Sequence, residues 1–174
     1  MEEAKLVRRA VLGDAPALEE LIMRYYDAIH AFCCRRMGGA AAGVDACQDT
    51  FLKMVQNLPR YREKGYFKSW LYTIAANCCN DAFRKKRPEA SLDAAVPDAG
   101  SVTHESENGM LIREALNKLP GEQKEVVILR YYHDFSTKDV ARIQRVPAAT
   151  VKTRLHRGLK KLRKILGEDI LLET

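Results

Sequence analysis

A chain of 174 residues, 47% of them hydrophobic, is long enough to bury one medium core or two small ones without covalent staples. Its formal charge is +6, and its five cysteines (33, 34, 47, 78 and 79) are odd in number and lack C-x-x-C spacing, which argues against a disulfide framework and a zinc site. No signal-peptide pattern and no apolar run near the ~18 residues of a membrane span is visible, so a cytoplasmic location with no membrane insertion of its own is expected.

Strand signals are nearly absent, and the expected fold class is all-α. Leu6, Val7, Ala10 and Val11 begin a helical spacing that Leu18, Leu21, Ile22, Tyr25, Ile29 and Phe32 resume. The run Gly38-Gly39-Ala-Ala-Ala-Gly43 lacks the G-K-[ST] ending and the preceding strand of a phosphate loop, and reads as a helix-breaking connector. A third helix is predicted from about Asp45 to Leu58 and a fourth from about Phe67 to Arg84. Between them, Pro59 to Tyr66 carries two tyrosines among cations, a composition that suits either a single-stranded nucleic acid or an ordinary charged loop whose tyrosines lean on the core.

Charge then changes sign. Residues 1–87 are net +5, residues 88–108 hold five acids and no Lys or Arg, and residues 109–174 are net +6. Two small helical domains, 1–87 and 109–174, joined by a flexible acidic linker over 88–108, are the expected organisation.

In the second domain, Ser136-Thr-Lys-Asp139 is close to a capping box ahead of a short apolar face at Val140, Ala141 and Ile143. A break at Arg145-Val-Pro-Ala148 follows. From Ala149 to Leu166 there are seven Lys or Arg and no acid. Val151, Leu155, Leu159, Leu162 and Leu166 form one apolar stripe, and Thr153, Arg157, Lys160 and Lys164 lie opposite it. The stripe is narrow and aliphatic, with no Trp or Phe to seat in a membrane interface, so the basic face points to nucleic acid. A short helix, a tight turn and a basic second helix make a helix-turn-helix, whose second helix enters the major groove. Thr150, Lys152, Thr153, Arg154, His156 and Arg157 are the candidates for base and nearby phosphate contacts, with Lys160 gripping the backbone.

Four scattered histidines and no convergent carboxylates, P-loop or nucleophile elbow leave no catalytic, metal or cofactor site to assign, and the chain is not expected to be an enzyme. The cysteines read as small buried hydrophobes.

The segment 45–87 resembles the core-binding and promoter-melting region of bacterial RNA polymerase sigma factors of the extracytoplasmic-function group. The matching residues are Asp45, Gln48-Asp-Thr-Phe51, Phe67-x-x-Trp70-Leu71, Ile74-Ala-Ala-Asn77, Asp81 and Arg84-Lys-Lys-Arg87. The segment from Leu116 to Leu166 is similar to the same group's upstream-element domain through Leu119-Pro120, Lys124-Glu-Val126 and Val146-Pro-Ala-Ala-Thr-Val-Lys-Thr-Arg-Leu-His-Arg157. The resemblance implies a sigma factor that binds the β′ and β subunits of core RNA polymerase and promoter DNA, reading the −35 element with the helix-turn-helix and opening the −10 element. An anti-sigma factor is a partner common in the group.

Asp45, Gln48 and Asp49 would by that resemblance dock a coiled coil of β′, and Tyr61, Lys64 and Tyr66 would capture a flipped non-template base. Asn77, Asn80, Arg84 and Lys85 would track the −10 duplex. Trp70 reads either as core or as a stacking platform, with its spacing to Phe67, Leu71 and Ile74 favouring core. Three departures stand out. Val44 replaces an acid, Ala46 and Cys47 replace branched aliphatics, which predicts looser packing, and Gln144-Arg145 replaces the usual Leu-Gly turn. Arg145 is therefore expected either at positive φ, with a phosphate contact offsetting the strain, or in a turn reshaped to keep φ negative.

Overall fold

The computed structural model describes residues 2–62, 64–86 and 106–167. Among these residues there are eight α-helices, one 3-10 turn and no strand. The helices are α1 (Glu3–Val11), α2 (Ala15–Met37), α3 (Ala40–Asn57), α4 (Phe67–Lys86), α5 (Glu107–Asn117), α6 (Gly121–Tyr131), α7 (Thr137–Gln144) and α8 (Ala148–Leu166), with the turn at Leu58–Arg60 between α3 and α4. None is long and apolar enough to cross a membrane.

Local chemistry sets most boundaries. Gly13, at φ 90°, turns the chain out of α1, and Asp14 caps α2 by accepting from the Ala17 amide. That bond, with the Arg9 guanidinium beside it, holds the Asp14 carboxyl below the usual range. α2 stops at Gly38, which takes the left-handed conformation at φ 76°.

The predicted connector is shorter than its glycines suggest. Only Gly38 and Gly39 break the chain, and α3 begins at Ala40, five residues before the predicted start. Gly43 lies inside that helix for a packing reason: a Cβ there would sit 2.5 Å from the Cys34 Cα on α2. The helices meet backbone to backbone at this point. Ala46 and Cys47 are buried on the same face, so the small residues accompany a close approach rather than the looser packing the sequence predicts.

All five cysteines are free thiols, four of them buried. The Cys33 thiol is pushed up chiefly by its hydrogen bond with Cys79 and then by burial, and burial pushes Cys47 up to about 11. Thiols so held in the protonated state are poor nucleophiles.

The predicted linker falls mostly outside the described residues. Its last positions, Glu107 and Asn108, are helical, because Ser106 caps α5 by accepting from the Gly109 amide. α5, α6 and α8 enclose a small core of Ala115, Leu116, Leu119, Val127 and Leu162. The main core joins both halves of the chain: Phe32, Phe67, Leu71 and Tyr72 share it with Ile128, Phe135, Val140 and Val151. The halves that charge divides so plainly therefore pack on one another, with α7 against α4 and α6 against α2.

Candidate polymerase and promoter interfaces

α3 turns Ala46, Cys47, Thr50, Phe51 and Met54 inward, and this fixes what it shows to solvent. Asp45, Gln48 and Asp49, at i, i+3 and i+4, are all exposed on the opposite face. Leu52, 58% exposed, and Val55 continue that face by a further two turns. Sequence reasoning missed these two, although their i+7 and i+10 spacing from Asp45 carries the signal. The surface is thus acidic at its start and aliphatic at its end.

The loop before α4 separates its two tyrosines. Tyr61 is half-buried, its ring centroid 4.6 Å from Trp70 and 5.5 Å from Phe67, so Tyr61 and Trp70 share one aromatic cluster against the core. Lys64 and Tyr66 are exposed. Tyr66 is nevertheless covered on one side, by the Arg142 guanidinium of α7 at 3.9 Å from its ring centre. Along α4, Asn77, Arg84 and Lys85 are exposed, with Arg84 held to Asp81 at 2.8 Å. Asn80 is half-buried and its Oδ1 accepts from Arg36 Nη2 at 3.0 Å. The structure therefore places the candidate duplex-tracking residues on one helix and engages part of that helix within the molecule.

The helix-turn-helix forms where the capping signal lies. Ser136 Oγ accepts from the Asp139 amide at 3.1 Å, and α7 follows with Val140 and Ile143 buried. Arg145 ends α7 at φ 55°, ψ 44°, the left-handed conformation, so of the two turn geometries open to the sequence this chain adopts the strained one. In α8, Val151 and Leu162 are buried while Leu155, Leu159 and Leu166 pack on the core from its edge. Gly158 is buried where a Cβ would come 3.2 Å from Val127 Cγ2, bringing α8 tight against α6.

With its apolar stripe seated, α8 presents Lys152, Thr153, His156, Arg157 and Lys160 to solvent, with Thr150 half-buried at its start and Arg145 exposed beside it. Arg154 differs from the rest of this set. Its Nη1 donates to Gln144 Oε1 at 2.9 Å and its Nη2 lies 3.4 Å from Glu122, so it ties α8 to α7 and α6 instead of facing outward.

Two buried titratable groups lie behind these surfaces. Burial pushes the Lys124 ammonium down to about 8, and its Nζ donates to Asn117 Oδ1 at 2.8 Å. Burial, with Arg35 and Lys68 nearby, lowers His133 to about 4. His133 shares a 2.8 Å hydrogen bond with the Tyr72 hydroxyl through Nδ1, and its Nε2 has no partner among the described residues. No group of His, Cys, Asp and Glu among the described residues could hold a metal ion.

Comparison with known proteins covers both halves. Residues 21–89 match the family model for Sigma-70 region 2, and residues 109–162 match that for Sigma-70, region 4. The chain is 32% identical over 180 residues to the ECF RNA polymerase sigma factor SigW of Bacillus subtilis, covering 94% of this chain and 96% of that protein. It is 30% identical to the RNA polymerase sigma factor CarQ of Myxococcus xanthus, covering 90% and 92%. In fold it is similar to the sigma factor RpoE of Bartonella quintana, solved in complex with the anti-sigma factor NepR, at a TM-score of 0.77 and 24% identity, over 87% of this chain and 97% of that one.

Proposed function

Because the chain belongs to the extracytoplasmic-function group of RNA polymerase sigma factors, and so serves promoter recognition in transcription initiation, we propose a division of that task among its surfaces. The face of α3 that carries Asp45, Gln48 and Asp49 docks the β′ subunit, its carboxylates meeting basic side chains and Leu52 and Val55 supplying apolar contact. Lys64 and Tyr66 receive an unstacked base of the −10 element, and Asn77, Asn80, Arg84 and Lys85 follow its backbone. Lys152, Thr153, His156 and Arg157 read the −35 element in the major groove, with Arg145 and Lys160 on phosphates. Tyr61 supports the base-capturing loop from below, and Arg154 fixes the entry angle of α8.

The observation that carries this reading is the pairing of an acid-free, exposed basic face on α8 with an α3 face whose exposed groups are acidic and aliphatic. The two are chemically suited to different partners. Residues 1–87 and 109–174 then act as the −10 and −35 modules and 88–108 as their connection. The family consists of initiation factors rather than known catalysts, and we assign the chain no reaction of its own. Its place of work is the cytoplasm, where the polymerase is.

Run-off transcription with purified core polymerase tests the assignment. Core plus this protein is expected to start at defined sites on genomic fragments, whereas core alone starts without preference. Equal, scattered initiation with and without the protein would refute it.

A further inference from the structure

A polar cavity of about 200 Å³ lies where α4 faces the helix-turn-helix. Asn77 and Asn80 stand on one side of it and Gln144, Arg145 and Arg154 on the other. Arg36 and Glu125, each with a side chain only 6% exposed, form its buried end. Ala76 and Ile143 are the only apolar side chains among the described lining residues, and none is aromatic. The wall therefore gives a nucleobase or any other flat ring nothing to stack on.

The hydrogen bonds of the wall decide what it can hold. Arg36 Nε donates to Glu125 Oε2 at 3.0 Å, and Gln144 Nε2 donates to Glu125 Oε1 at 3.1 Å. Arg36 Nη2 donates to Asn80 Oδ1 at 3.0 Å, and Arg154 Nη1 donates to Gln144 Oε1 at 2.9 Å. Each of these inward oxygens is engaged by a neighbour. Glu122 lies at the rim, 71% exposed, with Arg154 Nη2 3.4 Å away.

What is left over is donors. A guanidinium can only donate, so the bond from Arg36 fixes the Asn80 amide with its oxygen towards Arg36 and leaves Nδ2 to donate elsewhere. Arg36 Nη1 makes no hydrogen bond among the described residues, and neither does the exposed Arg145 guanidinium. Asn77, also exposed, can turn its amide hydrogens towards the same space. Three arginines against two glutamates leave the lining with a positive balance.

Unspent donors, positive charge and no stacking surface suit a small ligand that only accepts. We propose that this cavity binds a phosphate oxyanion, either inorganic phosphate or the head of a phosphomonoester, held by Arg145, Asn77 and Asn80 with Arg36 behind them. The volume admits a tetrahedral oxyanion together with a few waters at ~30 Å³ each. A phosphate of duplex DNA arrives attached to a helix too wide to enter between α4 and α7, so the occupant is a free anion. The bonds of Arg36 and Gln144 hold much of the wall in place beforehand, which lowers the ordering cost of binding. Occupancy itself does not depend on the promoter surfaces proposed above. Its consequence rests on them: Asn77, Asn80 and Arg145 belong to both, so the anion competes with promoter DNA.

Isothermal titration of the full chain with sodium phosphate, at constant ionic strength set by chloride, measures the site. Wild type should bind with a Kd of about 1 mM or tighter and melt at a higher temperature as phosphate is added. Arg145→Gln should weaken binding at least ~10-fold and Asn77→Ala at least ~3-fold; both side chains are exposed, so the fold is not at stake. Lys161→Gln with Lys164→Gln, at exposed positions of α8 outside the cavity, removes more charge and should leave binding unchanged. Methyl phosphate should bind like phosphate, whereas dimethyl phosphate, a singly charged diester like the DNA backbone, should bind at least ~10-fold more weakly. Binding that fails to saturate, or that falls as far in the lysine variant as in Arg145→Gln, means an adventitious ion only and overturns the site. Equal binding of the diester would assign the donors to nucleic-acid backbone and overturn the free anion. A single-stranded −10 oligonucleotide should raise the apparent phosphate Kd. If phosphate binds as expected and the oligonucleotide does not compete, the anion site stands and the promoter role of Asn77, Asn80 and Arg145 falls.

Discussion

Arg145 offers the sharpest separation of backbone energetics from DNA contact. It sits at φ 55° between α7 and α8, where a residue with a Cβ pays about 1 kcal/mol that glycine does not. Arg145→Gly removes this strain, while the greater freedom of glycine in the unfolded chain takes back about 0.4–1 kcal/mol. The net change should lie between zero and about 0.6 kcal/mol of stabilisation, a rise in Tm of no more than ~2 °C for a chain of this size. The guanidinium is exposed beside the N-terminus of α8, where a groove-bound helix places phosphates. Losing one phosphate contact should weaken binding equally on matched and scrambled −35 DNA and reduce the slope of log K against log salt by about 0.9. A melting curve and a salt-titrated binding series on both DNAs supply the measurements. An unaltered slope with unaltered affinity would refute the phosphate contact, and a clear fall in Tm would refute the strain.

Three further outcomes are expected. Asp45→Arg with Asp49→Arg, both on the exposed face of α3, should weaken core polymerase binding at least ~100-fold by setting like charges together, with helical content unchanged; equal affinity in a pull-down titration would remove α3 from the interface. Gly43→Ala drives a Cβ to 2.5 Å from the Cys34 backbone and should cost about 2–3 kcal/mol in denaturant melts, since neither helix can yield locally. His133, lowered by burial to about 4, binds its proton more readily in the unfolded chain, so its contribution is present in full above pH ~6.5 and is lost as pH falls towards ~4. Its full loss amounts to about 3 kcal/mol at most. His133→Gln should flatten that part of the stability-pH profile, and an unchanged profile would assign the acid sensitivity elsewhere.

The sequence by itself determined everything that depends on near neighbours. The apolar stripe of α8, the Ser136 cap and the three-residue spacing that puts Asp45 and Gln48 on one face all follow from helical period and local backbone chemistry, whereas the sequence left the Arg145 turn open between two geometries. The tertiary structure decided what long separation controls. Gly43 looks like a breaker in sequence and is a contact in space, because only the approach of α2 shows what its missing Cβ makes room for. Asn80 and Arg154 have the spacing of groove-facing residues, yet partners on other helices turn both inward. The Arg36–Glu125 pair joins residues 89 positions apart. No periodic pattern records such a pair, since each ion is an ordinary charge on its own helix, and burial exists only once the two halves meet.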